Sequence, residues 1–348
     1  MVEAPAAPLR LLLDAEALAA NWRLMDALSG SAQAGAAVKA DAYGLGALRA
    51  TRVLAAAGCR DFFVAHWQEA AALLDVVPAE QIAVLHGPAG AQDIAFARAT
   101  GVRPVLNTMA QVRGWAAAGG GACHVMVDTG MSRLGLPAEA LGDAGVQALA
   151  VDVLLSHLAS AEEETPQNAA QLALWQQARG LVPHRRASLA NSAGILLGAD
   201  YHGDLTRPGL ALYGGLARPE LAGRIRQVAR PQAALLQLRD VPAGAKVGYN
   251  ATFTAPVPMR LGVVSLGYAD GYLRCWSGRG ALLSGGRVLP VVGRVSMDLT
   301  IVDLSAAPDL AEGDWLDVAY DLAEASARVG LSPYELLTVL GRRFSRAA

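Results

Sequence analysis

The stretch DFFVAHWQEAAALLDVVPAEQIAVLH (61–86) holds two short apolar runs separated by an amphipathic, Ala- and Leu-rich segment with helical spacing. This order is typical of a βαβ unit with parallel strands. The alternation recurs through the first two-thirds of the chain and predicts a closed (β/α)8 barrel of the TIM type. The eight apolar runs are AAVKA (36–40), DFFVAH (61–66), QIAVLH (81–86), VRPVLN (102–107), CHVMVD (123–128), VDVLLSH (151–157), HRRASLAN (184–191) and HGDLTR (202–207).

The predicted barrel strands end in polar residues. Barrel enzymes have their catalytic residues at the C-terminal ends of the strands. These residues therefore predict a pocket lined by polar side chains at that end of the barrel. Turns and solvated loops also favour polar residues, and for His66, His86 and Asn107 taken singly this simpler interpretation is preferred. In chain order the terminal residues are Lys39, His66, His86, Asn107, Asp128, His157, Asn191 and Arg207.

The pattern of predicted secondary structure changes after about residue 225. From there on, β-rich runs are divided by Pro and Gly turns, and no helical repeats lie between them. We therefore predict a barrel domain over residues 1–224 and a mainly β C-terminal domain over residues 225–348. Residues 1–13 contain most of the run PLRLLLD (8–14), which can add a strand to the β domain.

Composition excludes several classes of function. The chain has 348 residues, of which 53% are hydrophobic, and its formal net charge is −2 with dispersed arginines. Neither a nucleic-acid nor an anionic-membrane surface is indicated, so we expect a small-molecule partner. The N-terminus lacks a secretory leader and the three cysteines lack metal-ligand or disulfide spacing. These features predict a cytoplasmic protein with reduced cysteines and no metal.

Lys39 is conspicuous because the chain has only one other lysine, Lys246. Burial at a strand end lowers the pKa of an amine and leaves the neutral nucleophile that a Schiff base requires. A lysine reaching into solvent from a strand end is an equally good interpretation on this feature alone. Asn191–Gly194 and Arg207–Leu210 follow the last two strands, where barrels commonly cradle a phosphate. A lysine beside a phosphate cradle suggests pyridoxal phosphate.

Eight motifs then resemble those of the alanine racemase family, a pyridoxal-phosphate-dependent family of fold type III. Their order along the chain matches the family, and they span both predicted domains, which makes the resemblance specific. The motifs are VKADAYGLG (38–46), DTGMSRLG (128–135), SHLA (156–159), ANSAG (190–194), RPGLALYG (207–214), VGYNATF (247–253), LGYADGYLR (266–274) and VGRVSMD (292–298).

The resemblance implies a racemase that interconverts L- and D-alanine and supplies D-alanine for peptidoglycan. Lys39 would bear the pyridoxal 5'-phosphate and act as the base on the D-alanine face. Tyr249 would be the base on the L-alanine face, since racemisation needs one base on each side of Cα. A hydrogen-bonded line from Tyr249 through His157 to Arg207 would assist the phenol, whose ordinary pKa is near 10.

The resemblance also implies how cofactor and substrate are held. Arg207 would face the pyridine nitrogen, and Arg133 would bind the phenolic oxygen and the substrate carboxylate. Met297 would reach the same carboxylate through its backbone N–H. Tyr268 and Arg274 would line the entrance and restrict the pocket to small side chains. The remaining cofactor contacts would be Tyr43, His157, Asn191, Ser192, Gly209, Leu210 and Tyr334.

The chain departs from the family pattern at Asp41, where asparagine is common, at Ser296, where cysteine is common, and at Met126. Many members carry at the last position a carbamylated lysine that orients the equivalent of Arg133. We expect Arg133 to be largely buried. The carbamate would then be replaced either by a bound anion such as chloride or by a neighbouring side chain, Asn107 or Asp128. The resemblance further implies a homodimer with composite active sites.

Three other functions remain open. A serine or broad-specificity racemase of the same fold is the nearest, because pockets discriminate only modestly between a methyl and a hydroxymethyl group. A non-enzymatic pyridoxal-phosphate carrier would need the barrel alone, and the β domain with Tyr249 and Met297 speaks against it. A Schiff-base aldolase of barrel fold would use Lys39 without a cofactor.

Overall fold

The structure is a computed structural model that describes residues 7–346. Its strands are β1 (Leu9–Leu13), β2 (Gln33–Ala34), β3 (Ala36–Ala37), β4 (Phe62–Val64), β5 (Ile82–Val84), β6 (Arg103–Leu106), β7 (Ala122–Met126), β8 (Ala150–Leu155), β9 (Arg186–Ser188), β10 (Leu205–Thr206), β11 (Ala229–Val241), β12 (Lys246–Val247), β13 (Phe253–Thr254), β14 (Met259–Val264), β15 (Ala281–Ser284), β16 (Arg287–Val292), β17 (Thr300–Asp303) and β18 (Trp315–Val318). Its helices are α1 (Ala15–Leu28), α2 (Lys39–Tyr43), α3 (Ala47–Ala57), α4 (Trp67–Leu73), α5 (Ala91–Thr100), α6 (Met109–Ala117), α7 (Ala144–Gln147), α8 (Pro166–Leu181), α9 (Leu322–Val329) and α10 (Pro333–Thr338).

The chain divides into two compact units. One unit runs from Ala15 to Arg226 and contains the barrel. The other combines the chain up to Asp14 with the chain from Gln227 onward. No helix within residues 7–346 is both long and apolar enough to cross a membrane. Cys59, Cys123 and Cys275 are free thiols.

The barrel consists of parallel strands that follow one another in chain order from β3 to β9. The ring closes because β10 pairs in parallel with β2, which leads directly into β3. On one side of β10 the Gly35 N–H donates to the Thr206 carbonyl at 2.9 Å, and on the other the Asp204 N–H donates to the Ala187 carbonyl at 2.8 Å. The predicted (β/α)8 barrel is confirmed, and each of the eight predicted runs overlaps an observed strand.

The first barrel strand begins earlier than predicted and is interrupted at Gly35. A Cβ on this glycine would lie 2.8 Å from the Asp61 carbonyl oxygen, so only glycine allows the chain to pass there. Buried apolar side chains from successive strands fill the barrel interior, as expected for a packed core. They are Phe63, Ala83, Val105, Met126, Val153, Leu155 and Leu205, with Leu85 packed against them.

The second unit is built on an antiparallel sheet in the order β1-β11-β14-β17-β16-β15-β18. The pairing of β11 shifts between Leu235 and Gln237, so its first half pairs with β1 and β18 and its second half with β14. In β1, Leu9, Leu11 and Leu13 are buried while the residues between them are half-buried. The apolar run near the N-terminus therefore belongs to the β sheet, and the mainly β C-terminal domain is confirmed.

Candidate functional site

Lys39 directly follows the first barrel strand, at its C-terminal end. Burial, followed by the nearby positive charge of Arg133, lowers the pKa of the Lys39 amine. Lys246, in contrast, is exposed, and its Nζ donates a hydrogen bond to Thr254 Oγ1 at 2.9 Å. Of the two lysines, only Lys39 has the environment of a neutral nucleophile.

The backbone after Lys39 makes a left-handed turn, with φ between 53° and 57° from Ala40 to Tyr43. Each L-residue in such a turn costs roughly 1–2 kcal/mol. Hydrogen bonds offset the strain: Gly44 N–H donates to Ala40 O at 2.8 Å, and Ala47 N–H donates to the Asp41 carboxylate at 2.7 Å. Backbone strain of this kind concentrates at functional sites. Asp41, one of the departures from the family pattern, thus has a structural role here.

Glu69, in the first turn of helix α4, stabilises the same turn. One carboxylate oxygen accepts the Ala40 N–H at 2.5 Å, and the other accepts the N–H groups of Ala65 at 2.7 Å and His66 at 3.1 Å. The carboxylate therefore ties the turn after Lys39 to the end of β4 and the start of α4. Sequence reasoning missed Glu69, although its place three residues after His66 is that of a capping box.

Four of the predicted phosphate contacts come together beside this turn. Ser192 Oγ accepts the Gly209 N–H at 2.9 Å and the Ala211 N–H at 3.3 Å. A Cβ on Gly209 would lie 2.3 Å from Tyr43 Oη, so glycine allows the ring to approach the backbone. Leu210 is buried immediately after it. This pocket of a hydroxyl, backbone amides and a tyrosine has the donors that a phosphate requires.

Asn191 and Tyr334, two further predicted cofactor contacts, do not belong to this pocket. Asn191 pairs with Arg207 in an isolated parallel bridge, and its Oδ1 accepts the Gly194 N–H at 2.8 Å, which stabilises a turn. Tyr334 lies in α10 of the other unit with 36% of its surface exposed.

Arg207 is buried at the end of the eighth barrel strand. Its Nη1 donates to Ser188 Oγ, and its Nη2 donates to the carbonyl oxygens of Ser156 and Leu189. Burial lowers the pKa of Arg207 to about 9. The carboxylate of Asp204, three residues before Arg207, accepts the Ala187 N–H at 2.8 Å and makes no ion pair with Arg207 among the described residues. Arg207 is thus a buried cation surrounded by neutral acceptors.

His157 lies near the same guanidinium. Burial and then the charges of Arg207, Arg133 and Lys39 lower the pKa of His157 to about 3, so the imidazole is neutral at physiological pH. Within residues 7–346 no hydrogen bond joins the side chains of His157 and Arg207. His157 and Arg207 are neighbours, but the predicted line between them is not formed as a direct bond.

Arg133 is exposed, so its expected burial is wrong. Met126 lies in the barrel core, and the Asp128 carboxylate accepts N–H groups from the loop 130–132. Asn107, in contrast, is 2% exposed, and its Nδ2 donates to the carbonyls of Leu85 and Val105. Its Oδ1 has no partner among the described residues. Of the two side chains predicted to partner Arg133, Asn107 is buried with its Oδ1 unpartnered among the described residues, whereas Asp128 uses its Oδ1 to hold the loop 130–132.

His66 and His86 agree with the interpretation that they are polar residues of turns or solvated loops. Both side chains are exposed, their rings meet edge to face at 4.5 Å, and His66 caps the N-terminus of α4.

In the other unit, three predicted site residues occupy neighbouring loops. The Tyr268 N–H donates to Ser296 O at 3.0 Å, which joins the loop of Tyr268 to that of Met297. A Cβ on Gly267 would lie 2.2 Å from the Met297 carbonyl oxygen, so glycine permits this approach. The Arg274 guanidinium lies over the Tyr268 ring at 5.2 Å. Ser296, another departure from the family pattern, donates from its hydroxyl to the Leu299 carbonyl at 2.7 Å.

Tyr249 and Met297 expose large apolar surfaces. Tyr249, in the turn between β12 and β13, is 66% exposed, and Met297 is 54% exposed.

Comparisons with known proteins agree with this geometry. Residues 13–217 match the family described as "Alanine racemase, N-terminal domain", and residues 228–348 match "Alanine racemase, C-terminal domain". The chain is 46% identical to an alanine racemase of Methylobacterium sp. (strain 4-46), with 97% of each chain covered. It is 41% identical to a catabolic alanine racemase of Agrobacterium fabrum, with 97% of this chain and 91% of the relative covered.

Among solved structures, the chain is similar to the alanine racemase from Bartonella henselae with covalently bound pyridoxal phosphate. The TM-score is 0.89 and the sequence identity 35%, with 99% of each chain covered.

Proposed function

This chain belongs to the alanine racemase family, and we propose that it interconverts L- and D-alanine with Lys39 as the residue that bears the cofactor. The enzyme is an isomerase, and its cofactor is pyridoxal 5'-phosphate. The observation that carries the proposal is the lowered pKa of Lys39 at the mouth of a barrel that matches this family over nearly its whole length. The product D-alanine is a precursor of peptidoglycan.

The residues around Lys39 fit the cofactor. Ser192, Gly209, Leu210 and Tyr43 offer the donors for its phosphate. Arg207 offers a buried cation that has no carboxylate partner within residues 7–346. Bound there, pyridoxal phosphate would supply the electron sink that acidifies the Cα proton of the amino acid. With a pKa of about 9 the guanidinium of Arg207 stays protonated at neutral pH, so it would donate to the pyridine nitrogen and hold it unprotonated.

Two side chains of the protein would move the proton. Because the pKa of Lys39 is lowered, more of its amine is unprotonated near neutral pH and available to accept a proton. Lys39 Nζ would hold the proton on the D-alanine face of Cα. Tyr249 Oη would hold it on the opposite face. With its pKa near 3, His157 would remain neutral and act as a hydrogen-bonding group rather than as a charge.

Arg133 and the backbone N–H of Met297 would bind the substrate carboxylate. Arg133 is well suited because its planar fork offers parallel N–H donors. Tyr268 and Arg274 would limit the space for the substrate side chain.

We expect alanine to be the preferred substrate. Chiral analysis of the products from L-alanine, L-serine and L-lysine should give the highest kcat/KM for alanine, about 10–100 times that for serine. A higher kcat/KM for serine would favour the broad-specificity racemase. Binding of pyridoxal phosphate without any D-amino acid would favour the carrier.

We expect added bicarbonate to leave the activity unchanged, because Met126 stands where many family members carry the carbamylated lysine and cannot itself form a carbamate. The measurement is the racemisation rate in CO2-depleted buffer with and without bicarbonate. The Met126→Lys variant is the matched comparison, since carbamylation there would lower KM in a bicarbonate-dependent way. Bicarbonate dependence in the natural protein would contradict this explanation.

We further propose a homodimer in the cytoplasm. Exposed Tyr249 and Met297 support the dimer, because an apolar surface of this kind is stabilised when a second copy covers it. Each active site would then combine the barrel of one subunit with Tyr249, Tyr268 and Met297 of the other.

A further inference from the structure

Arg207 owes its orientation to three acceptors, of which only one is a side chain. Ser156 and Leu189 contribute backbone carbonyl oxygens, whereas Ser188 contributes its hydroxyl. Among residues 7–346 no carboxylate lies within ion-pair distance of this guanidinium. Ser188 is thus the one contact to Arg207 that a substitution can remove without moving the backbone.

Ser188 is itself fixed. It is fully buried at the end of β9, and its hydroxyl donates its proton to the Leu205 carbonyl of β10. Because that proton is committed, the oxygen presents a lone pair to Arg207. The hydroxyl therefore connects two adjacent barrel strands and holds the guanidinium that follows the second of them.

We propose that Ser188 is a positioning residue for Arg207, which fixes the direction of the guanidinium and leaves its positive charge uncompensated. This inference rests on the proposed function, in which Arg207 faces the pyridine nitrogen. A neutral acceptor suits that task, since a carboxylate at this position would offset the charge that keeps the nitrogen unprotonated.

The loss of this acceptor should have a chemical signature. A displaced Arg207 would allow the pyridine nitrogen to take a proton from water and would strengthen the electron sink. More turnovers would then return the proton removed from Cα to the cofactor carbon. Water would hydrolyse the bond and release alanine as its oxidised keto acid, pyruvate, while the cofactor keeps the amino group and is reduced to its amine form. Pyruvate release per racemisation event reports the orientation of Arg207 in a way that simple destabilisation would not.

The test compares Ser188→Ala with Ser188→Thr, which keeps a hydroxyl, in cofactor-loaded enzyme. Ser29→Ala is the matched control. Ser29 is 1% exposed, and its hydroxyl bonds to the Met25 carbonyl and to Thr206 Oγ1, each at 2.8 Å, without contacting Arg207. The measurements are kcat, KM, pyruvate released per racemisation, the pH titration of the visible cofactor absorption, and the thermal unfolding midpoint.

For Ser188→Ala we expect kcat to fall about tenfold with KM nearly unchanged, the value of one hydrogen bond to a charged group. Pyruvate release should rise, the absorption titration should shift, and Ser188→Thr should restore most of kcat. Ser29→Ala should lower only the unfolding midpoint. If Ser188→Ala matches Ser29→Ala in all readouts, the inference is wrong. A natural protein without racemase activity would instead contradict the proposed function.

Discussion

A Lys39→Ala variant is expected to fold and yet to lose both the covalently bound cofactor and racemase activity. The substitution removes the anchor and one of the two bases together, so the rate should fall by a factor on the order of 10³ or more. Folding should survive because the Lys39 side chain is only half-buried and none of the apolar barrel core depends on it. The measurements are visible absorption, racemisation rate and thermal unfolding.

Lys246→Ala is the control for Lys39→Ala. Lys246 is the only other lysine, and its exposed Nζ bonds to Thr254 Oγ1. This variant should keep the visible absorption and nearly all of the activity. If Lys246→Ala lost the visible absorption and the activity while Lys39→Ala kept both, the assignment of Lys39 would be wrong.

Tyr249→Phe is expected to have the second-largest effect, with a rate loss of about 10²–10⁴, because the hydroxyl is the base on the L-alanine face. The composite site adds a sharper expectation. When the inactive Lys39→Ala and Tyr249→Phe proteins exchange subunits, half of the dimers become hybrids, and each hybrid has one site with both natural residues. About a quarter of the natural activity should return.

The control for this mixing experiment is each variant taken alone through the same exchange procedure, which should remain inactive. Subunit exchange itself is followed by mass spectrometry of differently tagged chains. A mixture that exchanges subunits and stays inactive would mean that one chain builds each active site.

The barrel could be predicted from the sequence because its signal is local and repeated. Each of the eight apolar runs overlaps an observed strand, and the polar residue near the end of each run, such as Lys39 or Arg207, follows the C-terminal end of a barrel strand. The predicted bounds of the strands were less accurate than their number and order. The first run was predicted to start at residue 36, whereas the observed strand starts at Gln33 and is interrupted at Gly35. A close approach to another strand, as at Gly35, leaves no local pattern.

The contacts that hold the site could not be predicted in the same way. The left-handed turn after Lys39 uses Ala40 and Ala42, residues of a type that rarely adopts positive φ, so their local sequence does not predict it. Ser188 and Arg207 are 19 positions apart, and their hydrogen bond exists only because β9 and β10 lie side by side. The exposure of Arg133 likewise depends on how the loop after β7 leaves the barrel.

Borohydride reduction of the natural protein followed by peptide mapping tests the central claim most directly. Reduction traps a cofactor that is covalently attached to a lysine, and the chain offers only Lys39 and Lys246 as sites. We expect the pyridoxyl label on the peptide that contains Lys39, in an amount close to one per chain, and none on Lys246. A label on Lys246, or a cofactor-loaded active enzyme without any label, would contradict the assignment of Lys39 as the residue that bears the cofactor.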